Sequence, residues 1–209
     1  MRGKRSVPRK TDASECANAA RGPGHGDAMT EPDEFCVSET LKSGVAVTIR
    51  TLRASDRDKI ASAVRHLDRD SIYTRLFSYR KELTEAGLDR IMAVDPARDV
   101  MLVVTIGAGP AEAIIASARF VGANGGGAPR SGEIAFMVEE DYQGQGIAGR
   151  LLRHLADLAR AKGVATFEAE VLGGNKAMLA VFARTGLPMR QRRDGGVVHV
   201  TLSLAEAAA

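Results

Sequence analysis

Apolar positions along the chain fall into two periods, and the switches between them mark out the elements. Residues 45–52 (VAVTIRTL) alternate apolar and polar, the period-two pattern of a half-buried strand. Ser55 then caps a helix over about 56–67, with Asp58 three residues on as a weak capping-box partner. A short helix is expected over 71–77. Thr84 caps another that runs to about residue 94 and stops before Asp95-Pro96. Residues 100–106 (VMLVVTI) read as a buried strand, and 113–121 as the next, after a Gly-Ala-Gly-Pro turn. The loop GANGGGAPRSG is too rich in glycine for regular structure, and 134–138 (IAFMV) form a third strand. A long amphipathic helix over 147–162 ends at Gly163. A strand over 166–172 follows, then a helix over 176–185 capped by Asn175 and stopped by Gly186, and a last strand over 197–204.

Three consecutive strands on short connections imply an antiparallel meander, and the strand–helix–strand after them implies a parallel crossover. The expected fold class is α+β (mixed α/β): one domain around a central mixed sheet flanked by helices. Residues 1–39 are rich in Gly, Pro, Ser, Asp and Arg without apolar period, and read as a disordered N-terminal extension to a domain over 40–209. Met29 opens a shorter chain, MTEPDEF, so residues 1–28 are expected to be a loose extension or to precede the true start.

Composition narrows the function classes. The 209 residues are 44% hydrophobic, enough for one domain with a real core. Trp is absent and aromatics are few, which leaves little for stacking single-stranded bases. The net charge of +3 equals the excess of six Lys/Arg over three Asp/Glu within residues 1–28, so the rest is near neutral and gives no electrostatic case for nucleic acid. Two cysteines, Cys16 and Cys36, argue against a disulfide scaffold. None of the four histidines lies at metal-ligand spacing, so no metal is expected. No apolar run is long enough to span a bilayer, and the basic start MRGKRSVPRK lacks the apolar stretch of a secretory signal. A cytoplasmic protein with no membrane partner is the default expectation. Oligomeric state is left open.

The chemistry concentrates in YQGQGIAGRLL. Here GQGIAG matches the dinucleotide fingerprint G-x-G-x-x-G. One register earlier, QGQGIA matches Q-x-x-G-x-A, a pattern that cradles the pyrophosphate of acyl-coenzyme A. Both bring backbone amides to phosphate at a helix N-terminus, where the helix dipole also favours negative charge. Glycines ahead of a helix also make a plain turn. The dinucleotide reading needs a strand running directly into the first glycine. Instead, the polar stretch 139–143 intervenes before Gly144, and some 60 residues are too few for the rest of such a fold. Glu168 and Glu170 do stand where a ribose-binding acid would be. Arg150 follows the loop and could add charge to a phosphate, or be a solvated helix arginine.

GEIAFMVEEDYQGQGIAGRLLRHLADLARAKG, followed by VLGGNKAMLAVFARTGL, resembles the core of the GNAT N-acetyltransferase superfamily. Gln143, Gly144, Gln145, Gly146, Ile147 and Ala148 match its pyrophosphate loop, continued by Gly149 and Arg150. Asn175 with Gly186-Leu187 matches its later Asn…Gly-Phe segment, with Leu for Phe. The resemblance covers about residues 45–204. SIYTRLFSYRKELTEAGLDRIMAVD together with GEIAFMVEEDYQGQG is similar to the GNAT domains of bacterial protein-lysine acetyltransferases.

The resemblance implies a GNAT acyl-CoA N-acyltransferase fold, acetyl-CoA as co-substrate, and direct acetyl transfer to an amine acceptor, a protein lysine or a small molecule. In that family the strand at 134–138 splays from the strand at 166–172, and backbone groups of Phe136, Met137 and Val138 would meet the pantetheine arm. An amine of pKa near 10.4 is only about one part in a thousand neutral at pH 7, so a general base helps. Glu133 matches the glutamate of the lysine-acetyltransferase branch; its bland alternative is a solvated strand-edge residue. Many members carry a Tyr seven residues after the Asn as general acid, where this chain has Phe182. That substitution motivates the competing expectation of a non-catalytic acyl-CoA-binding or sensing module. Asn175 serves as helix cap, as hydrogen-bonder to the cofactor arm, or as both. Tyr73, Phe77 and Tyr79 either line the acceptor site or belong to the core.

Overall fold

The alternation at 45–52 becomes β2 (Ala46–Thr51), whose Val47 and Ile49 point into the core. The computed structural model describes residues 35–65, 84–123 and 131–205. Eight strands form one sheet in the order β1-β2-β3-β4-β5-β6-β8-β7. The elements are β1 (Cys36–Thr40), β2, α1 (Arg57–Arg65), α2 (Glu85–Met92), β3 (Asp99–Ile106), β4 (Ala113–Gly122), β5 (Ser131–Val138), α3 (Ile147–Ala161), β6 (Thr166–Leu172), α4 (Lys176–Ala183), β7 (Met189–Asp194) and β8 (Val197–Ser203). The meander β3–β4–β5 is antiparallel, and α3 crosses over to join β5 and β6 in parallel, as the order of elements predicts. The expected short helix at 71–77, with Tyr73, Phe77 and Tyr79, lies outside the described residues.

Side chains on the two faces of the sheet pack into separate cores. One face buries Leu102, Phe120, Phe136, Phe167 and Leu202 beneath α3 and α4. Helix α3 earns that position by spacing, since Ile147, Leu151, Leu152, Leu155, Ala156 and Ala159 recur on one side and are buried. The other face carries a smaller core, in which Met101, Val103 and Ile114 meet Ile60 and Ala63 of α1 and Leu88 of α2. Thr84 caps α2 as expected, its side chain accepting from the Gly87 N–H at 3.1 Å.

Two strands depart from the sequence reading, both at sheet edges. Residues 36–40 are not disordered: they form β1, paired antiparallel with β2 from Cys36↔Arg50 to Thr40↔Ala46. Only Val37 and the flanking Phe35 contact the core from this segment, so it carries too little apolar period to stand out. A three-residue turn, Lys42-Ser43-Gly44, closes the hairpin with Gly44 at φ 85°. Cys36 is disulfide-bonded. Strand β7 (MRQRRD) carries no apolar period, because five of its six side chains are exposed. It forms because Gly195 and Gly196, at φ 53° and 92°, make the tight two-residue turn that returns it onto β8.

Candidate functional site

The parallel pairing of β5 with β6 lasts three rungs, Ser131↔Thr166, Gly132↔Phe167 and Glu133↔Glu168. Beyond Glu133 the strands part. β5 stays on β4 as far as Val138, while β6 stays on β8 as far as Leu172, and a wedge opens between them. The bond from Glu139 N–H to Ile115 C=O (2.9 Å) sets the phase of the β4–β5 ladder. With Ala116 opposite Val138, antiparallel alternation turns the backbone groups of Phe136 and Val138 into the wedge and those of Met137 toward β4. So two of the three residues expected to offer backbone there do so. Met137 instead packs its side chain on the smaller core.

At its wide end the wedge becomes a cleft of about 700 Å³. Val138 and Leu172 line it from the strands, Ala177, Ala180 and Val181 line it from α4, and Arg184 lines it from the C-cap of that helix. Those four stand at i, i+3, i+4 and i+7, one face of a helix. The floor is the glycine loop. Gly144 (φ 72°) and Gly146 (φ 86°) adopt left-handed backbone that other residues resist. A Cβ at Gly144 or Gly149 would meet nothing within 4 Å, so the loop faces open space rather than packed chain. The first hydrogen bond of α3 is Arg150 N–H to Gly146 C=O at 3.2 Å. The amides of Ile147, Ala148 and Gly149 therefore precede the helical ladder and remain available to an anion at the positive end of the dipole. Gln143 steadies the approach, its Nε2 donating to Val138 C=O at 3.4 Å, and Gln145 Oε1 accepts from Ser43 N–H at 3.0 Å.

Charge around the cleft has one sign. Among the described residues its lining contains Lys42 and Arg184 and no carboxylate. Neither cation was singled out in the sequence. Lys42 sits in the turn of a hairpin whose first strand reads as tail up to residue 39, whereas Arg184 could have been found as the last member of the α4 stripe. Arg150 is not among the lining residues: it pairs with Glu39 on β1. Glu39 also takes His154 Nε2 at 2.7 Å and Arg153 at 3.4 Å. Burial pushes the Glu39 carboxyl up, but hydrogen bonds from His154 and Arg150 outweigh it and hold it below its ordinary value.

Glu133 stands at the closed end of the wedge, exposed, on the face that carries α1 and α2, with Glu168 beside it on β6. Five residues of extended chain put it roughly 17 Å from Val138 at the cleft. Asn175 caps α4, its Oδ1 accepting from Met178 N–H at 3.0 Å, and lines the cleft at the same time. Phe182 is 1% exposed and packs edge-on against Phe136, with ring centroids 6.1 Å apart. Its position is core, under the wedge rather than in it.

Backbone amides, open glycines and the two cations Lys42 and Arg184 suit a phosphorylated ligand, and the edge of β5 that β6 leaves suits an extended arm that hydrogen-bonds like a strand. Known proteins agree with this geometry. Acetyltransferase Pat of Mycolicibacterium smegmatis is 35% identical over 159 residues, which are 76% of this chain and 46% of that relative, so the chain spans under half of its length. The crystal structure of the GNAT domain of S. lividans PAT superposes with a TM-score of 0.72 at 29% identity, covering 80% of this chain and 96% of that one. The protein yncA of Salmonella typhimurium, solved with its cofactor acetyl-CoA, has a TM-score of 0.63 over 78% of this chain and 96% of its own. At 21% identity that likeness is one of fold. The model of the acetyltransferase (GNAT) family matches residues 64–187, and the chain belongs to that family.

Proposed function

We propose that the protein is an N-acetyltransferase that moves the acetyl group of acetyl-CoA to a primary amine, a protein lysine or a small molecule, by direct transfer. The observation that carries this is the end of β5–β6 pairing at Glu133↔Glu168, which opens a wedge that widens into a cleft floored by the glycine loop. Gln143, Gly144, Gln145, Gly146, Ile147, Ala148 and Gly149 would hold the pyrophosphate through backbone. Phe136 and Val138 would pair with the pantetheine arm. A backbone N–H at that edge would polarise the thioester carbonyl, a pre-set dipole where charge develops.

Bound acetyl-CoA supplies an activated acyl carbon with a thiolate leaving group. The amine nitrogen bonds to that carbon as the C–S bond breaks. Glu133 takes the proton that the amine sheds, directly or through water, which general-base catalysis rewards with a factor of about 10²–10⁴. The departing thiolate, whose thiol has a pKa near 8.5, takes its proton from water, because buried Phe182 has none to give. The domain that does this is the described unit from β1 to β8, on which no helix is long and apolar enough to cross a membrane.

Incubation with acetyl-CoA and a panel of amines and lysine peptides, followed by free thiol, tests the proposal. Thiol release matched by acetylated product is the expected result. Tight acetyl-CoA binding without turnover on any acceptor would replace it with the sensing reading, which the buried Phe182 motivates.

A further inference from the structure

The β1–β2 hairpin reaches over the phosphate loop and touches it twice. Ser43 N–H donates to Gln145 Oε1 at 3.0 Å, and the Lys42 side chain lies against Gly146, where an added Cβ would stand 3.6 Å from Lys42 Cε. Lys42 lines the cleft, and no described residue pairs with its ammonium. The hairpin is held there from behind: Glu39, three residues earlier, clasps Arg150, Arg153 and His154 of α3. Arg150 is the cation nearest the loop in sequence, and it is committed to that clasp. The arginine expected at the phosphates anchors the hairpin, and the hairpin brings a lysine in its place.

We propose that Lys42 is the pyrophosphate-binding cation of this site, delivered by the β1–β2 hairpin, and that Arg150 is a positioning residue that locks the hairpin through Glu39. This rests on the reading of the cleft as an acyl-CoA site. A compact, mobile ammonium on a turn suits a point contact with phosphate oxygens, complementing loop amides that already supply directional bonds. It also gives a strand poor in apolar residues a fixed place: ion pairs to α3 hold β1 alongside the core contacts of Phe35, Val37 and Leu41.

The test is equilibrium binding of CoA and of dephospho-CoA, which keeps the pyrophosphate and lacks the 3′-phosphate, to the wild type, Lys42→Ala and Lys42→Arg. Lys42→Ala is expected to weaken both ligands by about tenfold or more, the scale of a lost charge-assisted bond, and Lys42→Arg to restore most of that. Melting temperatures should stay within a degree or two, since the side chain is on the surface of a turn. Unchanged CoA affinity in Lys42→Ala overturns the proposal. A loss seen with CoA and absent with dephospho-CoA also overturns it, by moving Lys42 to the 3′-phosphate. An equal loss in Lys42→Arg shows that shape rather than charge matters and overturns it as well. A wild type that binds neither compound would instead sink the acyl-CoA reading beneath it.

Discussion

Glu133 and Glu168 are the last pair of residues in register before β5 and β6 separate. The junction does two jobs in one place. It ends the sheet pairing that would otherwise fill the edge of β5, and it sets a carboxylate where the wedge closes. Glu133→Gln keeps the size of the side chain and removes the proton acceptor. Turnover is expected to fall by about a hundredfold or more, the range of a lost general base, while acetyl-CoA affinity stays within twofold. Single-turnover kinetics beside equilibrium binding would check this. An unchanged rate removes Glu133 from the base role, and a matching loss of affinity makes it a binding residue instead.

The loop can be tested without disturbing the backbone. Gly149 sits in the first turn of α3, outside the left-handed region, and a Cβ there meets nothing within 4 Å. Gly149→Glu therefore folds, and an acid in the first turn of a helix is if anything stabilising. With CoA bound as proposed, however, the same carboxylate would face its phosphates. The expected outcome is a melting temperature equal to or above the wild type together with a loss of CoA affinity of about a hundredfold, two charges opposed in a partly desolvated site. Retained affinity in this variant would contradict the loop assignment.

How much of this could be read in advance follows from where each signal resides. Helix α3, β6 and the cap at Asn175 were legible because local spacing and punctuation dictate them: apolar residues on one helical face, alternation at 166–172, an Asn ahead of an apolar run. The loop was legible because its glycines carry a backbone requirement. Strands β1 and β7 were hidden because edge strands bury almost nothing, and the Asp-Gly-Gly turn at 194–196 was the one local mark of β7. Lys42 and the Glu39 clasp could not be read at all. They depend on contacts more than a hundred residues apart in sequence, and no period or motif encodes those.

Acid should loosen the fold through a second ion pair far from the loop. Arg50, 2% exposed, grips Asp56, fully buried, through two bonds of 2.7 and 2.8 Å, with Glu112 beside them at 3.2 Å. Burial pushes the Asp56 carboxyl up, and the hydrogen bonds from Arg50 and the Arg53 backbone outweigh it, so the group sits below its ordinary value of 3.8. A carboxyl depressed on folding adds stability that is fully present above the unfolded value and is lost as pH falls through the folded one. Stability should hold down to about pH 4–5 and then decline. Asp56→Asn leaves buried Arg50 with only Glu112 as counter-charge and should cost about 3 kcal/mol. Urea melts of both proteins at pH 3–7 would check this. A variant as stable as the wild type at pH 7, or one with the same acid slope, would contradict it.

Phe182 raises the question of whether this chain lost a catalytic acid or never placed one there. The ring is 1% exposed, stacked edge-on to Phe136 on the core side of β5. A hydroxyl added by Phe182→Tyr would enter apolar surroundings, and a buried hydroxyl without a partner costs about 1–3 kcal/mol. The expected variant is less stable and no faster, with the alkaline limb of its pH–rate profile unchanged. Thermal melts and a pH–rate profile over the alkaline range would test both halves. If Phe182→Tyr instead raised turnover and brought in a new alkaline limb, the hydroxyl would have reached the thiolate. Helix α4 would then sit closer to the wedge than its packing against Phe136 places it.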